Sequence, residues 1–190
     1  MWLKTIFDFV FALLLLPILL PIIIILIIIA TIDTSQFGLF NQKRIGKEAK
    51  PFQIYKIRTM KGVQPSDVTS DKTHKITKCG QFFRKTKLDE LPQLFNIIKG
   101  EMSFVGPRPD VAGYADLLEG EDRIILTVKP GITGPAQLAF RNEEEILNQK
   151  ENPLKYNDEV LWPKKVEINR QYVKNWSFVE DIKYILQTII

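Results

Sequence analysis

The chain has 190 residues, 26 Lys and Arg against 22 Asp and Glu, 45% hydrophobic and 25% charged residues, and a single cysteine, Cys79. That length carries one domain with a small appendage, and one cysteine excludes an internal disulfide framework. The apolar residues are unevenly placed: no charge occurs from 9 to 32, which argues against a fully soluble protein, and aromatic and branched aliphatic residues continue to the C-terminus, which argues against long-range disorder.

The first element is that run of 24 residues. As a helix it reaches roughly 36 Å, enough for a bilayer core of about 30 Å. A cleaved leader fits poorly, because its apolar part usually holds about 7–15 residues. No polar, small-residue cleavage site follows Ala30 and Thr31. Pro17 and Pro21 lack an N–H and crowd the carbonyl four residues back, so a kink near the middle is expected. Two topologies follow: a kinked span, or a helix–break–helix that enters and leaves the bilayer by one face. Lys4 alone precedes the run, whereas Lys43, Arg44, Lys47 and Lys50 follow it. That asymmetry places the C-terminal side, and so most of the chain, in the cytoplasm.

Short strands are expected over 37–44 and 52–60 around a turn at Gly46, then a polar loop over 62–73. A helix is expected over 88–99, stopped by Gly100, and another over 110–118, capped by Asp110. A turn-rich loop follows over 129–135 and a short helix over 143–149. Ser177 with Glu180 makes a capping box, after which Phe178, Val179, Ile182, Ile185, Leu186 and Ile189 recur at helical spacing. Only Glu180, Asp181 and Lys183 oppose that stripe, so it reads as a face packed on the core rather than one lying in a membrane interface.

Charge is divided along the chain. Residues 41–87 hold 13 Lys and Arg and 3 acids; residues 88–190 hold 12 and 17. A basic stretch after a membrane segment attracts anionic headgroups or a phosphorylated substrate. Nucleic acid is disfavoured as a partner, since there is no zinc-finger spacing and no ribonucleoprotein motif. His74 is the only histidine. No thiolate or imidazole zinc cage is possible, and no Walker-type or dinucleotide glycine loop is present. Chemistry therefore falls to carboxylates and cations, and any metal to a hard ion such as Mg²⁺.

The densest candidate is Asp89-Glu90 at the start of the helix expected from 88; the same pair also fits an ordinary N-cap and first turn with Pro92. Arg108 lies between Pro107 and Pro109, which fix the backbone on both sides and prepare the guanidinium for a two-pronged phosphate contact; an exposed proline-rich turn is the plainer alternative. Lys56 and Arg58 share one strand face with Phe52 and Ile54, a spacing that suits a diphosphate. Arg141 follows the Gly131–Gly134 loop. Together these residues describe a cytoplasmic membrane-surface site suited to phosphoryl chemistry on a lipid.

Leu88-Asp89-Glu90-Leu91-Pro92-Gln93-Leu94-Phe95-Asn96 resembles the signature of the bacterial monotopic phosphoglycosyl transferases, the bacterial sugar transferase family. The stretches 102–109, 129–134, 52–60 and 172–177 are similar to that family in the same order. The chain resembles its minimal catalytic form, without the extra N-terminal membrane domain of larger members. The resemblance implies an α+β, mostly helical monotopic membrane protein with an N-terminal re-entrant helix broken at Pro21 (1–34), a small β-hairpin, and a cytoplasmic membrane-surface catalytic domain (35–190) on the bacterial inner membrane. It implies transfer of a sugar-1-phosphate from a UDP-sugar to polyprenyl (undecaprenyl) phosphate, with UMP released, as the first step of surface-glycan assembly. It further implies Mg²⁺, Asp89 as nucleophile of a covalent phosphosugar intermediate, Glu90 as its partner on the metal, and Lys56, Arg84, Arg108 and Arg141 around the phosphates. Membrane lipids and later glycosyltransferases are the other implied partners.

An ionised carboxylate at a helix N-terminus agrees with that role. Three features depart from the family pattern: Leu20 stands where Ser often precedes the breaking proline, Asn169 stands where many members have Asp, and 141–165 is longer than in the smallest members. Two rival functions are separable by assay. A non-catalytic scaffold releases no UMP, and a nucleotide-sugar hydrolase releases it without needing lipid phosphate.

Overall fold

The computed structural model describes residues 2–62 and 75–189. The loop expected over 62–73 lies outside them except for Gly62, as does His74. The chain divides into two units, Met1–Lys43 with Gln53–Gly100, and Arg44–Phe52 with Glu101–Ile190. Helix predominates, and the described strands form three two-stranded sheets.

The first unit is built on α1 (Trp2–Thr34), long and apolar enough to cross a membrane by length and composition. Pro17 and Pro21 lie inside it and the helix continues across both. Its buried residues fall in two groups, Lys4, Asp8 and Ala12 near one end, and Ile23, Leu26, Ala30 and Thr34 near the other; none is buried from 13 to 22. The Thr34 hydroxyl bonds back to the Ala30 carbonyl at 2.7 Å, and Ser35 turns the chain at a positive φ of 58°.

β1 (Leu39–Ile45) and β2 (Pro51–Ile57) then form the expected hairpin, its tip belonging to the second unit. β3 (Met60–Lys61) pairs antiparallel with β4 (Lys75–Ile76), which leads into α2 (Lys78–Lys85). The first unit's core joins Leu26 and Ala30 of α1 to Ile57 and Phe83, with Cys79, Leu88 and Leu91 packed against them.

The helix expected over 88–99 is two pieces, a 3-10 turn over Leu88–Gln93 and α3 over Leu94–Ile98. Pro92 lacks the N–H that would bond the Leu88 carbonyl, so the α-type ladder cannot run through. Asp89 is not the cap; Lys87, in the left-handed conformation, takes that place without a side-chain bond. Gly100 ends α3 at φ 80°, its N–H on the Ile97 carbonyl.

In the second unit, β5 (Ser103–Val105) pairs in parallel with β6 (Gly131–Thr133), Ser103 opposite Gly131. The stretch read as a turn-rich loop thus contains a strand. Its glycines serve a close approach: a Cβ on Gly106 would sit 2.5 Å from the Lys129 carbonyl oxygen and 2.9 Å from the Gly131 nitrogen. The helix expected over 110–118 shrinks to a 3-10 turn, Ala115–Leu117, because Gly113 adopts φ 96° just before it. A 3-10 helix, Gly120–Thr127, brings Ile125 and Leu126 to a core shared with Ile45 and Ala115.

Short helices α4 (Pro135–Ala139), α5 (Glu143–Asn148) and α6 (Pro153–Tyr156) follow, then a π-helical turn, Asn157–Leu161, and α7 (Trp162–Lys174). α8 (Phe178–Ile189) begins as expected, with the Ser177 hydroxyl accepting from the Glu180 N–H at 3.2 Å. Its most buried residue among those described is Asp181, whose carboxylate accepts from the Tyr172 hydroxyl at 2.7 Å and the Trp176 indole at 2.8 Å. Phe178, Ile182 and Ile185 are half-buried while Val179 and Leu186 are exposed, so only part of the apolar stripe packs on the core.

Candidate active site

Four of the six expected site residues come together in the first unit. Asp89 and Glu90 sit in the 3-10 turn, 8% and 7% exposed; Lys56 projects from β2; Arg84 closes α2. The Lys56 ammonium contacts Glu90 Oε1 at 3.2 Å, with both side chains largely withdrawn from water. A buried pair of this kind is held chiefly because removing either partner strands the other's charge.

Asn96 sets the register that makes this contact. Its side chain is fully buried, its Oδ1 accepts from the Tyr55 N–H at 3.1 Å, and its Nδ2 donates to the Gln53 carbonyl at 2.6 Å. α3 thereby satisfies the backbone of β2 on either side of Ile54, and Lys56 follows two residues on. The preceding turn is fixed by Thr86, whose hydroxyl bonds the Phe82 carbonyl at 2.7 Å, and by Lys87, at φ 58°, whose carbonyl accepts from the Glu90 N–H at 3.2 Å.

Burial pushes the Asp89 carboxyl upward; Lys56 opposes this, Glu90 adds to it, and Arg84 and Lys87 oppose it more weakly. The helix start expected to favour its ionised form is a short 3-10 turn capped by Lys87, and burial raises the proton affinity of Asp89 there. Asp89 Oδ1 is buried with no hydrogen-bond partner. An unsatisfied carboxylate oxygen beside cations is a poor structural device and a good site for a ligand or a hard cation. No group of three or more His, Cys, Asp or Glu that could hold a metal ion occurs among the described residues, so a cation here would take two carboxylates and find its other oxygens elsewhere.

Arg58 does not join this cluster as the strand spacing suggested. Its Nε donates to the Phe37 carbonyl at 2.9 Å and its guanidinium lies 5.2 Å from the Phe40 ring centre. It ties the end of β2 back to the exit of α1.

Arg108 and Arg141 belong to the second unit. Arg108 is exposed between the buried Pro107 and Pro109, and the Pro107 carbonyl accepts from Gly131 at 2.8 Å, so the arginine is mounted on the β5–β6 junction. Next to it, burial raises Asp110 to about 6 against the opposing charges of Lys165, Arg108 and Arg44. The exposed Arg141 donates to the Gln187 carbonyl near the end of α8. Asn169 is buried on α7 with its Oδ1 unpartnered.

The sequence reading missed α2, the Asn96 bonds and the Asp181 lock. Thr77 caps α2 through the Gly80 N–H at 2.9 Å, but no Glu or Gln follows at the third position, so the usual start signal is incomplete. Tyr172, Trp176 and Asp181 were visible as residues and silent as partners.

The family described as Bacterial sugar transferase matches residues 1–190. The chain is 37% identical over 189 residues to Uncharacterized sugar transferase EpsL of Bacillus subtilis, covering 98% of this chain and 85% of that one. It is 38% identical over 159 residues to UDP-glucose:undecaprenyl-phosphate glucose-1-phosphate transferase of Escherichia coli, covering 80% of this chain and 32% of that protein. It is 34% identical over 166 residues to Galactosyl transferase CpsE of Streptococcus agalactiae, covering 80% and 33%. The chain thus spans most of EpsL and about a third of the other two.

Proposed function

The chain belongs to the bacterial sugar transferase family, and from that premise we propose that it moves a sugar-1-phosphate from a UDP-sugar to undecaprenyl phosphate, releasing UMP and starting a surface glycan. The observation that carries the reading is Asp89, a buried carboxylate with one unpartnered oxygen, acted on by the charges of Lys56, Arg84 and Lys87 in the unit that contains α1. The E. coli relative is named for this reaction with glucose.

Asp89 attacks the β-phosphorus of the UDP-sugar through a carboxylate oxygen. The bond to the α-phosphate oxygen breaks, UMP leaves, and the sugar phosphate is held as an acyl phosphate on Asp89. A phosphate oxygen of the lipid then attacks the same phosphorus, and the Asp89 carboxylate is released. Lys56 neutralises Glu90 and offsets charge on the diphosphate, and Arg84 contributes a phosphate contact; in the second unit, Arg108 and Arg141 are the phosphate-binding residues of this reading. Asp89 and Glu90 are the residues that would hold Mg²⁺, and the free Asp89 oxygen and the all-oxygen donor set suit that ion. A bound Mg²⁺ offsets the repulsion between an anionic nucleophile and an anionic diphosphate.

The topology we propose is re-entrant, with both ends of α1 on the cytoplasmic side. Lys4 and Thr34 would lie roughly 45 Å apart on a straight helix, yet α1 has buried residues on one face near each end and none from 13 to 22. At about 100° per residue the prolines fall opposite the buried face, so the opening each causes bends α1 toward that face.

Incubation of the purified chain with UDP-sugars and Mg²⁺ tests the reading. UMP release and transfer to undecaprenyl phosphate are expected with at least one sugar; no release with any of a broad panel contradicts it.

A further inference from the structure

We infer that Thr59 is a positioning residue: its hydroxyl holds Arg84 in a fixed pose next to the dyad, so that the guanidinium is set for the donor's phosphates before the donor arrives. The inference rests on the function proposed above.

Thr59 follows β2 and is buried. Its Oγ1 accepts from Arg84 Nε at 3.1 Å, and the next residue, Met60, offers its sulfur to an Arg84 Nη at 3.6 Å. The main chain of Thr59 holds the opposite end of the same helix. Its carbonyl accepts from the Thr77 N–H at 3.1 Å and the Thr77 hydroxyl at 3.4 Å, and Thr77 caps α2 through Gly80. Gly80 is needed for this approach, since a Cβ there would run into the Thr59 carbonyl.

One buried residue therefore grips α2 twice, by its backbone at the start and by its side chain at the last turn. The two grips are separable: the carbonyl survives any substitution at 59, and the hydroxyl does not. Five residues after Arg84 the chain reaches Asp89, on which Arg84 acts electrostatically. An arginine is long and loses much freedom when it binds an anion. Anchoring Nε fixes the plane of the guanidinium and removes part of that loss in advance. α2 also packs its Phe83 and Cys79 with Leu26 and Ala30 of α1, so the clamp is made on the helix that joins the membrane element to the dyad.

The test uses the full chain and a UDP-sugar that the wild type accepts, with UMP release followed as kcat and KM. Thr59→Val keeps the shape and the carbonyl and deletes the acceptor. It is expected to raise KM for the UDP-sugar and lower kcat/KM about tenfold, whereas Thr59→Ser stays within about twofold of wild type. Added to Arg84→Gln, Thr59→Val should cost nothing further, because the group it positions is already gone. Arg84→Lys reports independently if the valine variant fails to fold: it keeps the charge, lacks Nε, and should lose about tenfold. Wild-type kinetics in Thr59→Val or in Arg84→Lys, a serine variant as impaired as the valine one, or full additivity with Arg84→Gln would overturn the inference and leave the proposed function standing. A wild type that releases no UMP overturns the proposed function and this inference with it.

Discussion

Asp89 is placed at a cost to the fold, and that cost separates a reactive acid from a structural one. Its carboxylate is buried, one oxygen finds no partner, and burial raises its proton affinity in the folded state. An acid shifted upward contributes its stability below the unfolded value and loses it as pH rises. Asp89→Asn has nearly the same shape and carries no charge, so it should melt at or above the wild-type temperature at neutral pH while activity falls by several orders of magnitude. Calorimetry and UMP release on the same preparation check both halves; a destabilised, active variant contradicts the assignment. Arg108 makes a different demand. In the proposed site, Arg108, held between two prolines, makes a paired phosphate contact that lysine cannot make, so Arg108→Lys should lose about 1.5–3 kcal/mol, roughly ten- to a hundredfold in kcat/KM. Unchanged kinetics in a folded variant would remove it from the site. Asp110 supplies a pH test. Its carboxyl titrates near 6 in the folded protein against an ordinary value of 3.8, so the folded state binds the extra proton between those values. Wild-type stability should fall as pH rises from about 4 to 6.5 relative to Asp110→Asn, by on the order of 1–3 kcal/mol. Parallel melting curves across that window would contradict it.

The elements differ in how much of them a local pattern reveals. The hairpin sets two short runs with aromatic and branched residues, Phe40 and Ile45, Phe52 and Ile54, about a turn at Gly46, and α8 opens on a capping box, so both could be read directly. The dyad segment could be read as helical but not as split, because the conversion to 3-10 geometry depends on one missing N–H at Pro92. β5 and β6 were illegible, since a parallel pair joins residues 28 apart and its signal, glycine at 106 and 131, looks like turn chemistry. α2 carries an incomplete cap, and the bonds that hold it come from Thr59, 18 residues before Thr77. In α1 the prolines were legible and the continuation of the helix across both was not. The proposed topology puts both ends on the cytoplasmic side, so a cysteine introduced near Trp2 should resist an impermeant external reagent in intact cells. Replacing Pro17 and Pro21 by Leu should straighten the helix and expose that cysteine. Labelling of the unmutated topology from outside would contradict the re-entrant form.

At the scale of the whole molecule, the reaction depends on arranging like charges where they would otherwise repel. The stretch after α1, 41–87, carries 13 Lys and Arg against 3 acids, and the remainder of the chain is acidic. In the proposed function, such a division would favour anionic headgroups and draw an anionic donor toward the unit that holds Asp89. Lys56 and Arg84 provide that field in the first unit, and Arg108 is mounted in the second. The central claim is that Asp89 takes the sugar phosphate before the lipid does, and it is tested by mass. The wild-type chain, incubated with an accepted UDP-sugar and Mg²⁺ in the absence of any lipid acceptor, should release UMP and gain one phosphosugar on the peptide containing Asp89, and Asp89→Asn should show neither. UMP that appears only once undecaprenyl phosphate is added, with no mass on that peptide, would contradict the account.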